Sequence, residues 1–216
     1  MQTIVYNPAN ISVDIQGYAD LWDASLVDRV GIISNYRVIN GMALKTMGES
    51  YNITDVTKIG AAGEKLKALA PNIRLIKDDY IQDDLLSGEI DAAVMYTSQV
   101  TMAKMTNPDL KVVFPEEGIG FGIMAMFIPS QAPDSDAAHA FIEYILDPAV
   151  SAKCYEWLGY YCTNAAADAL ISEEFRDFLT LPAEFTPDRM EMIGNITPEA
   201  DAAHLAAFTA FREACE

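Results

Sequence analysis

Between residues 30 and 114 short apolar runs alternate with amphipathic segments, and this alternation constrains the fold more than any other feature. The apolar runs at 30–33, 73–76, 90–95 and 111–114 have the length and composition of buried strands. Each is separated from the next by a segment with helical spacing of its apolar residues. Strands that alternate with helices predict an α/β domain with a mostly parallel, mixed sheet flanked by helices.

The segments outside this region complete the predicted element order. A short strand is expected at 4–6, and the glycines at 118, 120 and 122 interrupt the pattern before an apolar strand predicted at 123–128. From residue 135 onward the chain reads as mostly helical. Asp147 and Thr197 are each followed by proline, which is the signature of an N-cap with proline at the first helical position. We therefore expect a helical C-terminal region after the α/β part.

The charge of the chain limits the classes of partner that it can have. The formal net charge is −18 over 216 residues, and no basic stripe offsets it, so a nucleic acid is not expected as a partner. A cationic ligand is compatible with this charge, although acidity also serves solubility. The first residues have no basic segment, apolar stretch or cleavage site of a signal peptide. Either the protein is cytosolic or its export signal lies outside this sequence.

The sequence contains no signature of a catalytic, metal or cofactor site. The motifs of serine hydrolases, nucleotide-binding loops and zinc proteases are absent, so no catalytic residue, metal or cofactor is predicted. The cysteine spacing fits no zinc pattern. A disulfide between Cys154 and Cys162 is one alternative; the other is that Cys154 lies on an apolar helix face with Val150, Trp157 and Leu158.

Short polar side chains follow two of the predicted buried strands. Ser34 and Asn35 come after the first, and Tyr96, Thr97 and Ser98 come after the third. Open α/β sheets bind ligands beyond the carboxyl ends of their strands, where helices begin. These residues can cap the helices alone, or cap them and also contact a ligand. Their position at two strand ends predicts a shared cleft.

A series of short segments, in order along the chain, resembles the second half of a bacterial extracytoplasmic solute-binding protein of the spermidine/putrescine type. The segments that carry the resemblance are Ser87-Gly88-Glu89-Ile90-Asp91, Phe114-Pro115-Glu116-Glu117-Gly118, Asp147-Pro148-Ala149-Val150 and Leu158-Gly159-Tyr160. The resemblance implies the type II fold of periplasmic binding proteins, in which a ligand lies between two lobes.

The resemblance also implies a division of the chain. Residues 1–121 would form the second lobe, 122–157 a hinge-crossing strand and helices of the first lobe, and 158–216 a helical region that packs back on the second lobe. The chain begins where a second lobe begins, so most of the first lobe is expected to be absent. A helix intended for that lobe would expose its apolar face, and we expect possible self-association through it.

The function that the resemblance implies is solute binding for an ABC importer. The chain would be its solute-binding component, or a fragment of it, with a small-molecule solute and a membrane permease as partners and no enzymatic activity. Its location would be periplasmic or otherwise extracytoplasmic. Two alternatives remain open: a ligand-sensing effector domain of a regulator, and a binding protein for a neutral or anionic solute.

The family's ligand positions are only partly matched. The acidic positions after the second strand align with Asn35 and Val38, and a Trp-x-Asp motif aligns with Gly122 and Met124. Aromatic character remains at Tyr96 and Tyr160. The resemblance therefore adds Gly122, Met124 and Tyr160 to the expected ligand contacts, and leaves the solute open between a polyamine and a ligand without positive charge.

Overall fold

The structure is a computed structural model, and it describes residues 1–161, 163–179 and 189–216. Five strands form one sheet, in the spatial order β3-β2-β4-β1-β5. In chain order these strands are β1 Gln2–Tyr6, β2 Val30–Ile32, β3 Ile73–Ile76, β4 Ala92–Tyr96 and β5 Lys111–Val113. All five lie where the apolar runs of the sequence predict strands.

The sheet is mixed but mostly parallel. β2 runs parallel to both of its neighbours, β3 and β4. β1 runs antiparallel to β4 on one side and to β5 on the other, so it alone opposes the direction of the other four. This arrangement, with helices packed around it, confirms the fold class predicted from the sequence.

Burial of the strands accounts for their apolar composition. Every residue of β1 and β2 is buried, and so is every residue of β4 except Tyr96 at its carboxyl end. When both faces of a strand are buried, its sequence is a continuous apolar run and not an alternation of apolar and polar residues. The central strands thus form the base of the hydrophobic core, and their ends are the places where polar side chains can collect.

The helices around the sheet start at the caps that the sequence indicates. α1 Tyr36–Lys45 begins after Asn35, whose side chain accepts hydrogen bonds from two backbone N–H groups of the first turn. α2 Val56–Leu69 begins after Asp55 in the same way. Both pack against the last helix, α9 Pro198–Ala214. α3 Ile81–Ser87 and α4 Thr97–Thr106 contact each other and the central strands.

The prediction of a strand at 123–128 is wrong. The strand in this part of the chain is β6 Ile119–Phe121, which pairs in parallel with β7 Met190–Met192. Residues 123–128 have no regular secondary structure, and Phe127 is 82% exposed. A strand needs a neighbour for its backbone groups, and none of the described strands pairs with 123–128.

In the described residues between β6 and α9 there are four further helices. They are α5 Ser135–Leu146, α6 Pro148–Leu158, α7 Ala165–Asp168 and α8 Glu173–Phe178. α5 buries no residue. Ala152 of α6 forms a small separate core with Ala167, Ile171 and Phe175. In the part of the chain that the structure describes, no helix is long and apolar enough to cross a membrane.

The cysteines lie in the helical part of the chain. Cys154 in α6 and Cys215 after α9 are free thiols of intermediate exposure. Cys162, the second residue of the disulfide considered from the sequence, lies outside the described residues.

Candidate functional site

The carboxyl ends of three parallel strands meet at one edge of the sheet. β2 lies between β3 and β4, so the residues that follow each strand are neighbours in space. Ser34 and Asn35 follow β2, Asp78 follows β3, and Tyr96 ends β4. In sheets of this kind the ligand lies beyond this edge.

Asp78 is held at this edge by Ser34. The backbone N–H of Ser34 donates to Asp78 Oδ1 at 2.8 Å, and its hydroxyl donates to Asp78 Oδ2 at 2.8 Å. Hydrogen bonds to an ionised acceptor are among the stronger ones in proteins. The carboxylate of Asp78 is therefore fixed in position while its side chain remains exposed.

Gln99 connects the ends of β3 and β4. Its Nε2 donates to the backbone oxygen of Asp78 at 2.6 Å, and its Oε1 accepts from the backbone N–H of Tyr96 at 3.0 Å. One amide side chain in α4 thus satisfies a backbone group at the ends of both β3 and β4, the two strands that flank β2. This link sets the spacing between the Asp78 carboxylate and the Tyr96 ring.

Asn35 and Tyr96 form the second pair at the edge. Asn35 Nδ2 donates to the Tyr96 hydroxyl at 3.1 Å, while Asn35 Oδ1 caps α1. Burial raises the pKa of Tyr96; the hydrogen bond from Asn35 lowers it, and the nearby charges of Asp78 and Tyr160 raise it. Tyr96 is therefore a neutral phenol at physiological pH, able to donate or accept a hydrogen bond.

Tyr160 reaches the same edge because α6 ends against α4. Gly159 has a φ of +74°, and a Cβ at this position would lie 2.7 Å from the backbone oxygen of Ser98. Glycine permits both the left-handed turn and the close approach. The chain therefore turns directly beside α4, and Tyr160 follows this turn.

Six of the eight residues predicted for the site come together at this edge. Thr97 and Ser98, the first residues of α4, are both buried, and the backbone N–H of Thr97 donates to the Met1 oxygen at 2.9 Å. Gly122 and Met124 lie instead on the exposed segment after β6. A Cβ on Gly122 would meet no atom within 4 Å, and Met124 is 79% exposed.

Asp78 is a residue at this edge that the sequence analysis does not predict. The signal was present, because Asp78 follows the predicted strand at 73–76 just as Ser34 follows the strand at 30–33. Applying the strand-end rule to the third parallel strand would have identified it. Asp78 supplies a carboxylate at an edge where the residues predicted from the sequence are all uncharged.

The electrostatics of the edge favour a positively charged ligand. Within the described residues, no Lys, Arg or His forms an ion pair with Asp78. Lys77 pairs with Asp84, and Arg37 donates to the Tyr51 oxygen at 3.1 Å. The N–H and O–H donors of Ser34 and two N–H groups of the first turn of α1 are already used within the protein.

What remains available to a ligand is mainly oxygen acceptors. A carboxylate with spare lone pairs and a phenol oxygen suit a group that brings its own N–H donors and a positive charge. The described residues contain no group of three or more His, Cys, Asp or Glu side chains arranged to hold a metal ion.

Comparison with known proteins finds one family over nearly the whole chain. The family model for bacterial extracellular solute-binding proteins matches residues 1–209. The spermidine/putrescine-binding periplasmic protein of Salmonella typhimurium is 32% identical over 160 residues, which cover 74% of this chain and 46% of that protein. The protein of the same name from Escherichia coli strain K12 is 30% identical over 167 residues, or 77% of this chain and 48% of that protein.

Solved structures agree with this match. A putative spermidine/putrescine ABC transporter protein from Listeria monocytogenes superposes with a TM-score of 0.88 at 25% identity, covering 98% of this chain and 66% of that one. A spermidine/putrescine substrate-binding protein from Streptococcus pneumoniae shares the fold, with a TM-score of 0.78 at 22% identity over 100% of this chain and 67% of that one. The chain spans about half the length of the curated relatives it matches.

Proposed function

Because this chain belongs to the bacterial extracellular solute-binding protein family, we propose that it is the solute-binding component, or part of it, of an ABC importer for polyamines. The family membership confirms the resemblance seen in the sequence. The curated relatives are named as spermidine/putrescine-binding periplasmic proteins. A periplasmic or extracytoplasmic location and a permease partner in the membrane follow for this chain as parts of the same proposal.

The observation that supports an amine ligand is the environment of the Asp78 carboxylate. Its carboxylate is fixed by two hydrogen bonds from Ser34, lies at the ligand-binding edge of the sheet, and has no cationic partner among the described residues. A primary ammonium group would donate to this carboxylate and to the Tyr96 hydroxyl. The rings of Tyr96 and Tyr160 would contact the aliphatic part of the ligand, with a cation–π contribution of about 0.5–2 kcal/mol.

The proposed mechanism is capture and release, with no chemical bond made or broken. The ligand binds at the exposed edge of the sheet, and closure of a second lobe over this edge would remove water from the ammonium–carboxylate pair. Exclusion of water strengthens such a pair. The site residues act by position and charge only, so the protein is proposed not to be an enzyme.

The two alternatives are less well supported than polyamine transport. The curated relatives named above are transport proteins, which favours transport over a regulatory effector domain. A neutral or anionic solute would have to approach an uncompensated carboxylate. It would also find the Ser34 donors and two N–H groups of α1 already in use.

We also propose the division of the chain into residues 1–121, 122–157 and 158–216, as expected from the sequence. Two observations support it. α5 buries no side chain, as expected for a helix that belongs to another lobe, and α9 packs against α1 and α2 of the sheet domain. The exposed surface around α5 is the basis for proposing self-association.

Isothermal titration with spermidine and putrescine tests the proposed function. We expect binding of the amines and no binding of a neutral sugar or of sulfate. Asp78→Asn should weaken amine binding by about tenfold or more, because a charge-assisted hydrogen bond contributes about 1.5–3 kcal/mol.

The matched control is Asp109→Asn, which removes the same charge from an exposed side chain after α4. It should leave the affinity within about twofold of the original, since exposed distant charges are screened at physiological salt. Equal behaviour of the two variants, or preferential binding of the sugar or sulfate, would contradict the proposal.

A further inference from the structure

Gln99, in the first turn of α4, makes two hydrogen bonds that require both an acceptor and a donor in one side chain. Its Oε1 accepts from the backbone N–H of Tyr96, and its Nε2 donates to the backbone oxygen of Asp78. The first bond is the one that the third helical residue makes in a capping box, where glutamate serves as well as glutamine. The second bond needs an N–H donor, which an ionised glutamate lacks. Glutamine at this position therefore indicates a role at the end of β3 as well as at the start of α4.

Hydrogen bonds join the residues of the strand-end edge into a closed ring. The Asp78 carboxylate accepts from the N–H and the hydroxyl of Ser34. The residue after Ser34 is Asn35, whose Nδ2 donates to the Tyr96 hydroxyl at 3.1 Å. The backbone N–H of Tyr96 donates to Gln99 at 3.0 Å, and Gln99 donates to the Asp78 backbone at 2.6 Å. The ring ties the ends of β2, β3 and β4 to one another, and Gln99 closes it.

The ring holds two oxygen acceptors in place. Asp78 follows β3 and Tyr96 ends β4, and these strands lie on opposite sides of β2. Burial raises the pKa of Tyr96, and the charge of Asp78 adds to this rise, so the two groups are within electrostatic reach of each other. Without Gln99, only the Ser34–Asn35 side of the ring would hold the two acceptors relative to each other. A site that is already ordered loses less entropy when it binds a ligand.

A pair of fixed acceptors favours a group that carries several N–H donors. A primary ammonium group has three of them around one charge and can donate to both acceptors at once. A quaternary ammonium group has the same charge but no N–H, and it binds through charge and through contact with aromatic rings. The rings of Tyr96 and Tyr160 suit either group, whereas the two fixed acceptors suit only the primary ammonium group.

We propose that Gln99 is a positioning residue that makes this edge selective for primary ammonium groups over fully alkylated ones. It closes the ring that holds the Asp78 carboxylate and the Tyr96 hydroxyl at one spacing, and it acts through these two residues. The inference rests on the proposed function, because it concerns the same ammonium position.

Calorimetric titration with two ligands of equal charge and chain length tests this inference. The ligands are putrescine and its analogue in which a methyl group replaces every N–H hydrogen. We expect the unmodified chain to bind putrescine about tenfold more tightly or better, because the analogue makes no charge-assisted hydrogen bond. Gln99→Met keeps the length of the side chain and removes both of its hydrogen bonds. It should weaken putrescine binding about fivefold or more, and binding of the analogue by less than about twofold.

Two further variants serve as controls. Gln131→Met makes the same replacement at an exposed glutamine in the turn before α5, and should leave both affinities within about twofold. Asn35→Ala opens the ring at another link and should reduce the preference for putrescine in the same way. In the double variant with Gln99→Met the preference should fall little further, because the ring is already open. The ratio of the two affinities does not depend on the fraction of folded protein, so lost stability cannot produce this result.

The outcomes separate this inference from the proposed function. Suppose that putrescine binds and Asp78→Asn weakens it. If the methylated analogue then binds as tightly as putrescine, or Gln99→Met changes both affinities equally, Gln99 does not set the selectivity and the proposed function stands. Additive effects of Gln99→Met and Asn35→Ala on the preference would also refute the role of the ring. If the unmodified chain binds neither putrescine nor spermidine, the inference and the proposed function are both refuted.

Discussion

His204 is buried in the contact between α9 and α1, and its surroundings make the stability of the protein sensitive to acid. The side chain has no exposed surface, and Asn40 Nδ2 donates to the His204 backbone oxygen at 2.6 Å. Burial lowers the pKa of His204 from 6.5 to about 4; the charge of Arg37 on α1 lowers it as well, and Asp201 on α9 opposes both. The folded protein therefore holds this ring in its neutral form.

The sign of the pH effect follows from proton linkage. The unfolded chain takes up a proton near pH 6.5 and the folded chain only near pH 4, so stability is full above pH 6.5 and falls as the pH drops between these values. We expect a loss of about 2 kcal/mol between pH 7.5 and pH 5, measured by chemical denaturation. Carboxylates titrate mostly below this window.

Replacement of each histidine in turn provides the control. His204→Gln should remove most of the stability change between pH 7.5 and pH 5, whatever its effect on stability at pH 7.5. His139→Gln, at the other histidine of the chain and on the exposed α5, should leave the pH profile as it is. A profile that stays the same in His204→Gln would show that another group causes the acid sensitivity.

Most of the residues predicted for the site lie together at the strand ends, and the failure to predict Asp78 there has a physical reason. Ser34, Asn35 and Tyr96 were identified because polar residues stand out directly after long apolar runs. Asp78 follows Lys77 in an acidic stretch that continues through Asp79, and such a stretch also reads as the polar start of a helix. Only the sheet order, with β3 beside β2, places Asp78 at the same edge.

At the scale of elements, Asn35 has two roles at the start of α1, and comparison with the cap of α2 separates them. Asn35 and Asp55 each accept hydrogen bonds from two backbone N–H groups, at the starts of α1 and α2. Only Asn35 also donates to Tyr96 at 3.1 Å. We expect Asn35→Ala and Asp55→Ala each to lower the free energy of unfolding by about 1 kcal/mol, measured with denaturant.

Ligand binding should distinguish the two cap variants. Asn35→Ala frees the Tyr96 hydroxyl, and we expect spermidine affinity to fall about fivefold, as for loss of a neutral hydrogen bond worth about 1 kcal/mol. Asp55→Ala should change the affinity by less than about twofold, because the hydrogen bonds of Asp55 are those of the α2 cap and none involves Tyr96 or Asp78. Equal losses of affinity would mean that Asn35 acts only through helix stability.

Elements stabilised by local interactions were predictable, and elements that depend on distant partners were not. The caps at Asn35, Asp55 and Asp147 and the burial of β4 can all be recognised within a few residues. β6 pairs with β7, about seventy residues further along the chain. Without that pairing in view, the glycine-rich segment at 118–122 reads as a loop and the apolar segment at 123–128 as a strand.

At the scale of the whole molecule, exposed apolar side chains are concentrated in one stretch of the chain, residues 122–158. Of the eighteen large apolar side chains that are exposed among the described residues, nine lie in the segment after β6 and in helices α5 and α6; they include Ile123 (73% exposed), Met124 (79%), Phe127 (82%), Phe141 (57%), Leu146 (56%) and Trp157 (78%). A patch of this kind on a soluble protein generally marks an interaction surface. The buried apolar residues of the sheet domain, by contrast, form one continuous core.

Self-association through this region is the expected result in the chain as given. Sedimentation velocity over a range of concentrations should show a weight-average mass that rises with concentration. Leu146→Glu, which places a charge in the exposed apolar surface of α5, should shift the chain toward monomer.

Leu205→Glu is the matched control, because Leu205 on α9 is 53% exposed, close to the 56% of Leu146, and lies on the helix that packs against α1 and α2. Both variants add the same charge to an already acidic protein, so a difference between them reports on the location of the surface and not on general repulsion. A chain that is monomeric at all concentrations, or equal effects of the two variants, would refute association through α5.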